Sequence, residues 1–191
     1  MTVKDELHLY LRDAREVLVW KLDGLDEYDV RRPLTPTGTN LLGLVRHTGS
    51  THLRYFGGVF GRPVDPALSW LHGDDGPGSD MWVRPDESRA DVVEACRAAW
   101  SLADDAIDEL PFDAPGAVPW WGPEPVTLHR VLVHVTAETQ RHAGHADVLR
   151  EMVDGSAGLL PAFDNLQARS HVDRVAHVEK VEAAARLAAG R

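Results

Sequence analysis

The chain has 191 residues, 20 lysines and arginines against 30 aspartates and glutamates, and 43% hydrophobic residues. That length suits one domain, or one domain with a tail, and the apolar share argues against wholesale disorder. A net charge of −10, with the arginines scattered among acids, excludes a surface built to neutralise nucleic-acid phosphates.

The N-terminus, Met1 to Glu6, is charged and leads into a helical pattern without the apolar stretch of a signal peptide. A first helix is expected over about Val3–Leu25, where Leu7, Leu11, Ala14, Leu18, Leu22 and Leu25 recur at spacings of three or four. Pro33 and Pro36 precede a second, over about Thr39–Phe60, closed by Gly61-Arg62-Pro63. A long connection follows, roughly Arg62 to Asp86, with Trp70, Trp82 and the run Gly73-Asp74-Asp75-Gly76-Pro77-Gly78. Connections of that length are uncommon in compact domains and are often functional. A third helix, about Glu87–Leu110, ends at Pro111, and a short segment holds Trp120-Trp121. The fourth runs over about Pro125–Val153, with Pro125 in its first turn and Asp154-Gly155 as its C-terminal cap. Beyond it, an Ala-rich stretch from Val172 to Ala189 reads as a short helix packed outside the bundle.

No strand period is convincing and no internal repeat exists. The expected fold is all-α: an antiparallel four-helix bundle with a long crossover between its second and third helices. The expected division is residues 1–155 for the bundle and 156–191 for a C-terminal extension. The one cysteine, Cys96, excludes an internal disulfide and a cysteine-based zinc site, and reads as a core residue. No run of 18 apolar residues exists to cross a membrane, so the expected setting is the cytoplasm.

The stretch that carries chemistry is His134, Glu138, His142 and His145. With Glu138 at zero on a helical wheel, the three histidines fall at about −40°, +40° and −20°. That stripe overlaps the buried face marked by Val131, Val135, Ala146, Leu149 and Val153, while Asp147 and Glu151 point away. Buried imidazoles and carboxylates need partners, either each other or a metal. One ion cannot hold all four, because His134 and His145 lie about 16 Å apart along the axis. The pairs His134/Glu138, Glu138/His142 and His142/His145 can each chelate, and a third ligand must come from another helix. His8, His47, His52 and His72 are candidates, and spacing alone does not choose between His47 and His52 in the second helix.

Two stretches resemble the DinB superfamily of four-helix-bundle metalloproteins. They are Leu44-Val45-Arg46-His47 with Tyr55-Phe56, and Glu138-Thr-Gln-Arg-His142-Ala-Gly-His145-Ala-Asp147-Val-Leu-Arg150-Glu151 with Asp154-Gly155. Many members use three histidines. Glu138 in place of the second is similar to the branch around mycothiol-dependent maleylpyruvate isomerase, whose ligands are His, Glu and His. The resemblance covers about residues 5–155 and implies His47, Glu138 and His142 as metal ligands. Zn²⁺ is the expected ion, with Ni²⁺, Fe²⁺ or Mn²⁺ also suited to such donors. It leaves His145 as the catalytic candidate, to orient substrate or support a ligand, and Trp70, Trp82, Trp120 and Trp121 as candidate walls of the site. The implied activity is transfer of a low-molecular-weight thiol such as mycothiol to an electrophilic small molecule. A metal-dependent hydrolase or isomerase using bound water, and a non-enzymatic metal-binding stress protein, are the alternatives. The expected partners are the thiol and the electrophile, with room for a homodimer and none for nucleic acid or membrane.

Overall fold

Side-chain caps set where the helices begin. In the computed structural model, which describes residues 1–74, 76–160 and 171–191, the Thr2 hydroxyl accepts from the Asp5 amide. The Asp5 carboxylate accepts from the Thr2 amide in return, a reciprocal box that opens α1 (Val3–Trp20). Asp26 caps a five-residue helix, α2 (Glu27–Arg31), and Asn40 caps α3 (Leu41–His52). Ser88 caps α4 (Arg89–Glu109) and Thr127 caps α5 (Leu128–Asp154). Each cap satisfies an amide that the first helical turn leaves without a carbonyl. A sixth helix, α6, spans His171–Ala188.

Three boundaries differ from the hydrophobic pattern. The first helix does not reach Leu25: a turn follows Trp20, Gly24 takes the left-handed conformation at φ 76°, and Asp26 starts α2. The second is helical to Phe60 but not α-helical throughout. After His52 it widens into a π turn, Leu53–Gly57, then tightens into a 3₁₀ turn, Gly58–Phe60. A spacing of three or four fits both, so the pattern does not distinguish them. Pro125 lies outside α5, because β2 (Val126–Thr127) pairs antiparallel with β1 (Pro115–Gly116) just before the cap. Two-residue strands are too short to show an alternation.

The four long helices form an antiparallel bundle. Their apolar residues divide into two clusters. One holds Val17 and Leu18 of α1, Leu41 to Val45 of α3, Val92 to Trp100 of α4, and Ala143 to Leu149 of α5. The other holds Leu11, Tyr55 and Phe56, Ala103 to Ile107, and Val131 to Val135. The order along each helix gives its direction: α1 and α5 run one way, α3 and α4 the other. Two helices that run the same way need a long connection, and residues 62–86 supply it with two 3₁₀ turns, Pro66–His72 and Ser79–Met81. Asp75 within it, and residues 161–170 of the expected extension, lie outside the described residues.

Buried Arg46 of α3 ties this crossover down. Its guanidinium donates to the carbonyls of Trp70, Leu71 and Trp82 and to Glu87 Oε2 at 2.9 Å. Gly49 brings α4 close to α3, since a β-carbon there would lie 2.6 Å from Cys96 Sγ. Asp147 does not point to solvent as the wheel suggests; it is half-buried and meets the fully buried ammonium of Lys21 at 2.7 Å. Contacts divide the described residues into Met1–Ser156, which holds the bundle, and Ala157–Arg191, which holds α6. No described helix is long and apolar enough to cross a membrane.

Candidate metal centre

Between the two apolar clusters, α3 and α5 face each other with polar residues. Antiparallel packing sets His47 of α3 against Glu138 and His142 of α5. His47 Nε2 lies 2.9 Å from Glu138 Oε1, and His142 Nε2 lies 2.8 Å from the same oxygen. The two rings stand edge to face at 76°, with centroids 4.9 Å apart. One donor atom from each of the three residues lies within 4.8 Å of the others, and all three side chains are half-buried.

His47 Nδ1 meets Asp80 Oδ2 at 2.9 Å, so both ring nitrogens face carboxylates. Burial pushes its pKa down, but the hydrogen bonds of Asp80 and Glu138 prevail and raise it to about 9. For Glu138, burial pushes upward, and the bonds from His142 and His47 overcome it and hold the carboxyl at about 2. The donor set fits a divalent cation. Glu138 Oε2 and His142 Nδ1 are buried with no hydrogen-bond partner among the described residues. Nitrogen and carboxylate donors at about 2.0–2.2 Å from zinc stand about 3.3 Å apart in a tetrahedral shell. The two spacings to Glu138 Oε1, 2.8–2.9 Å, lie near that value, and all three donors lie within 4.8 Å of one another. An ion there would take the place of the His47 Nε2 proton, while Nδ1–H goes on donating to Asp80.

The other histidines are engaged elsewhere. His52, the competing candidate on α3, is fully buried; its Nδ1 donates to the Thr48 carbonyl and its Nε2 accepts from Arg15. His8 bonds Asp104 at 2.7 Å, and His72 meets the Ser50 hydroxyl at 2.8 Å. His134, one turn from Glu138, packs against Tyr55 and Trp121. His145 is exposed, its ring centroid 5.5 Å from that of His142, beside a cleft of about 370 Å³ lined in part by Thr35, Thr37 and Thr39. Of the four tryptophans expected as walls of the site, Trp120 and Trp121 stand beside Tyr55, Trp70 lies over the Arg46 guanidinium, and Trp82 is exposed. Asp80 and Arg46 were not singled out by the sequence. Asp80 is one acid in an acidic connection, and nothing in its neighbours marks it as the partner of His47.

The family model that matches this chain is described as Mycothiol-S-transferase and covers residues 6–155. The chain belongs to that family. In fold, the chain is also similar to a conserved protein from Enterococcus faecalis of known crystal structure, with a TM-score of 0.65 and 18% identity over 82% of this chain and 99% of that one. A search of curated proteins gave no match.

Proposed function

We propose that the chain is a metal-dependent S-transferase that joins mycothiol, or a similar low-molecular-weight thiol, to an electrophilic small molecule. The observation that carries this reading is the convergence of His47, Glu138 and His142 in a chain of the mycothiol S-transferase family. These three would hold one divalent ion, with Zn²⁺ the best fit to two imidazoles and a carboxylate and Ni²⁺, Fe²⁺ or Mn²⁺ also suited. When bound, the ion supplies positive charge that lowers the pKa of a thiol sulfur.

The chain's own residues do the rest. Asp80 fixes the His47 ring and makes it a better donor. Cys96 cannot be the nucleophile: it is buried, and burial pushes its thiol up to about 12. The reacting sulfur therefore comes from the cosubstrate. His145 borders the site, and partial desolvation, followed by the nearby His142, lowers its pKa. In our reading it accepts the thiol proton as the sulfur bonds to the electrophilic carbon and the leaving group departs with its electron pair. A single unpaired cysteine suits the reducing cytoplasm, where we place the reaction.

Zinc-loaded protein assayed with mycothiol and a chromogenic electrophile tests this. The expected result is thiol-dependent turnover that vanishes on chelation and in His142→Ala. Metal-dependent hydrolysis without thiol would instead indicate bound water as the nucleophile, and no turnover with zinc in place would contradict an enzymatic role.

A further inference from the structure

The line of side-chain contacts between the second bundle helix and α5 continues past the candidate metal centre. His47 and Thr51 of α3 and Tyr55 of the π turn that follows it stand at intervals of four, and on α5 His142, Glu138 and His134 do the same in the opposite sense. His47 faces Glu138 and His142, and Tyr55 faces His134 with ring centroids 5.2 Å apart. The track ends on aromatic rings. Trp121 stands edge-on to His134 at 4.5 Å and lies 5.6 Å from Tyr55. Trp120 packs against Tyr55 at 5.6 Å and donates its indole N–H to the Tyr55 oxygen at 3.3 Å. The 3₁₀ turn Pro119–Trp121 presents both tryptophans, and the segment is pinned to the end of the second bundle helix by the bond from Ala117 N–H to the Val59 carbonyl.

Tyr55 belongs to the second apolar cluster, but the two tryptophans and His134 reach the surface. Trp120 is 53% exposed, and Trp121 and His134 line an open cleft of about 540 Å³ with Arg130 and Val133. Two cations flank them. The Arg54 guanidinium lies 5.9 Å from the Trp120 ring and that of Arg130 lies 5.1 Å from Trp121. In a chain with 30 acids, neither arginine has a carboxylate partner among the described residues. A guanidinium stacked on an indole keeps its N–H edge free for a bidentate oxyanion.

We propose that Tyr55, Trp120, Trp121 and His134, with Arg54 and Arg130 at the margin, form the electrophile subsite, and that it takes a planar aromatic ring bearing an anionic group. The inference rests on the S-transferase reading for the word electrophile; the site's preference for an aromatic anion stands on the rings and the cations themselves. A ring stacked on the Trp121 indole beside His134 lies about one helical turn from Glu138, and its anionic substituent reaches Arg130. Aliphatic compounds have nothing to stack on, and neutral aromatics leave the arginine without a partner.

The test uses full-length zinc-loaded protein and three probes in isothermal titration calorimetry: 4-chloro-3-nitrobenzoate, the uncharged 4-chloro-3-nitrobenzamide, and chloroacetate. The benzoate is expected to bind roughly tenfold tighter than the benzamide and tighter still than chloroacetate. Trp121→Leu should weaken both aromatic probes by roughly five- to tenfold. Arg130→Gln, at an exposed position where folding is not at risk, should weaken the benzoate alone by roughly tenfold. Zinc content should be unchanged in both variants. Equal affinity for the three probes, or variants that leave the benzoate affinity unaltered, would overturn the proposal. Chloride release on adding mycothiol separates the two readings. Selective binding without it keeps the subsite and removes the transferase, whereas transfer without selectivity keeps the transferase and removes the subsite.

Discussion

His47 shows what a second carboxylate does to a candidate ligand. Asp80 holds Nδ1 and leaves Nε2 aimed at Glu138 and His142. Partners of this kind orient the ring and raise its basicity, and their loss typically costs 10- to 100-fold in metal affinity. Asp80→Asn should therefore bind zinc roughly tenfold or more weakly, read by competition with a chromophoric chelator, with the helical circular dichroism spectrum unchanged. His52 carries a different consequence. Burial, and then the Arg15 cation beside it, push its pKa down to about 3, whereas an unfolded histidine titrates near 6.5. Between those values the unfolded chain binds a proton that the folded chain refuses, so stability falls as pH drops below 6.5. From pH 7.5 to 5.5 this group should cost about 1.4 kcal/mol. Urea unfolding of the wild type and of His52→Gln checks it: the wild type should lose that much more than the variant.

At the scale of elements, the helices were legible and their joints were not. Apolar residues spaced by three and four place the starts of α1, α3 and α4 to within about two residues. The π turn after His52 leaves no trace in that spacing, although it carries Tyr55 to the edge of the site. The stripe on α5 was legible because four polar groups on a buried face demand an explanation, and the resemblance then singled out His47. The choice of His47 over His52 could not come from the wheel. Both sit on α3 near the apolar arc, and only the packing of Arg15 from α1 shows why His52 is occupied. The crossover was legible as a length but not as a contact. Its anchor, Arg46, pairs with Glu87, whose side chain is only 10% exposed. Removing one member of a buried pair leaves the other uncompensated, at a typical cost of 3–5 kcal/mol. Arg46→Met should lower the unfolding free energy by about 3 kcal/mol in urea and weaken zinc binding through the freed Asp80, whereas Arg84→Ala, which removes solvent-screened ion pairs, should change stability far less.

For the whole molecule, the proposed centre would make metal binding and folding one equilibrium. Donors that converge only when α3 and α5 are packed would bind an ion in the folded state, so the ion would stabilise it. At free zinc about a thousandfold above its dissociation constant, the gain is about 4 kcal/mol. For a domain of this size that corresponds to a melting-temperature rise of roughly 10 °C. Thermal unfolding with and without zinc should show it in the wild type and not in His142→Ala. Acid should reverse the effect, because protons compete for the same imidazole nitrogens.

The most direct test of the account is the zinc retained per chain after exhaustive dialysis at neutral pH, measured by elemental analysis for the wild type, His47→Ala, His142→Ala and His145→Ala. A centre built from His47, Glu138 and His142 predicts about one ion per chain in the wild type and in His145→Ala, and almost none in the other two. A wild type that never takes up zinc would contradict the account. So would His47→Ala keeping its ion while His145→Ala loses it, which would move the centre along α5 to His142 and His145.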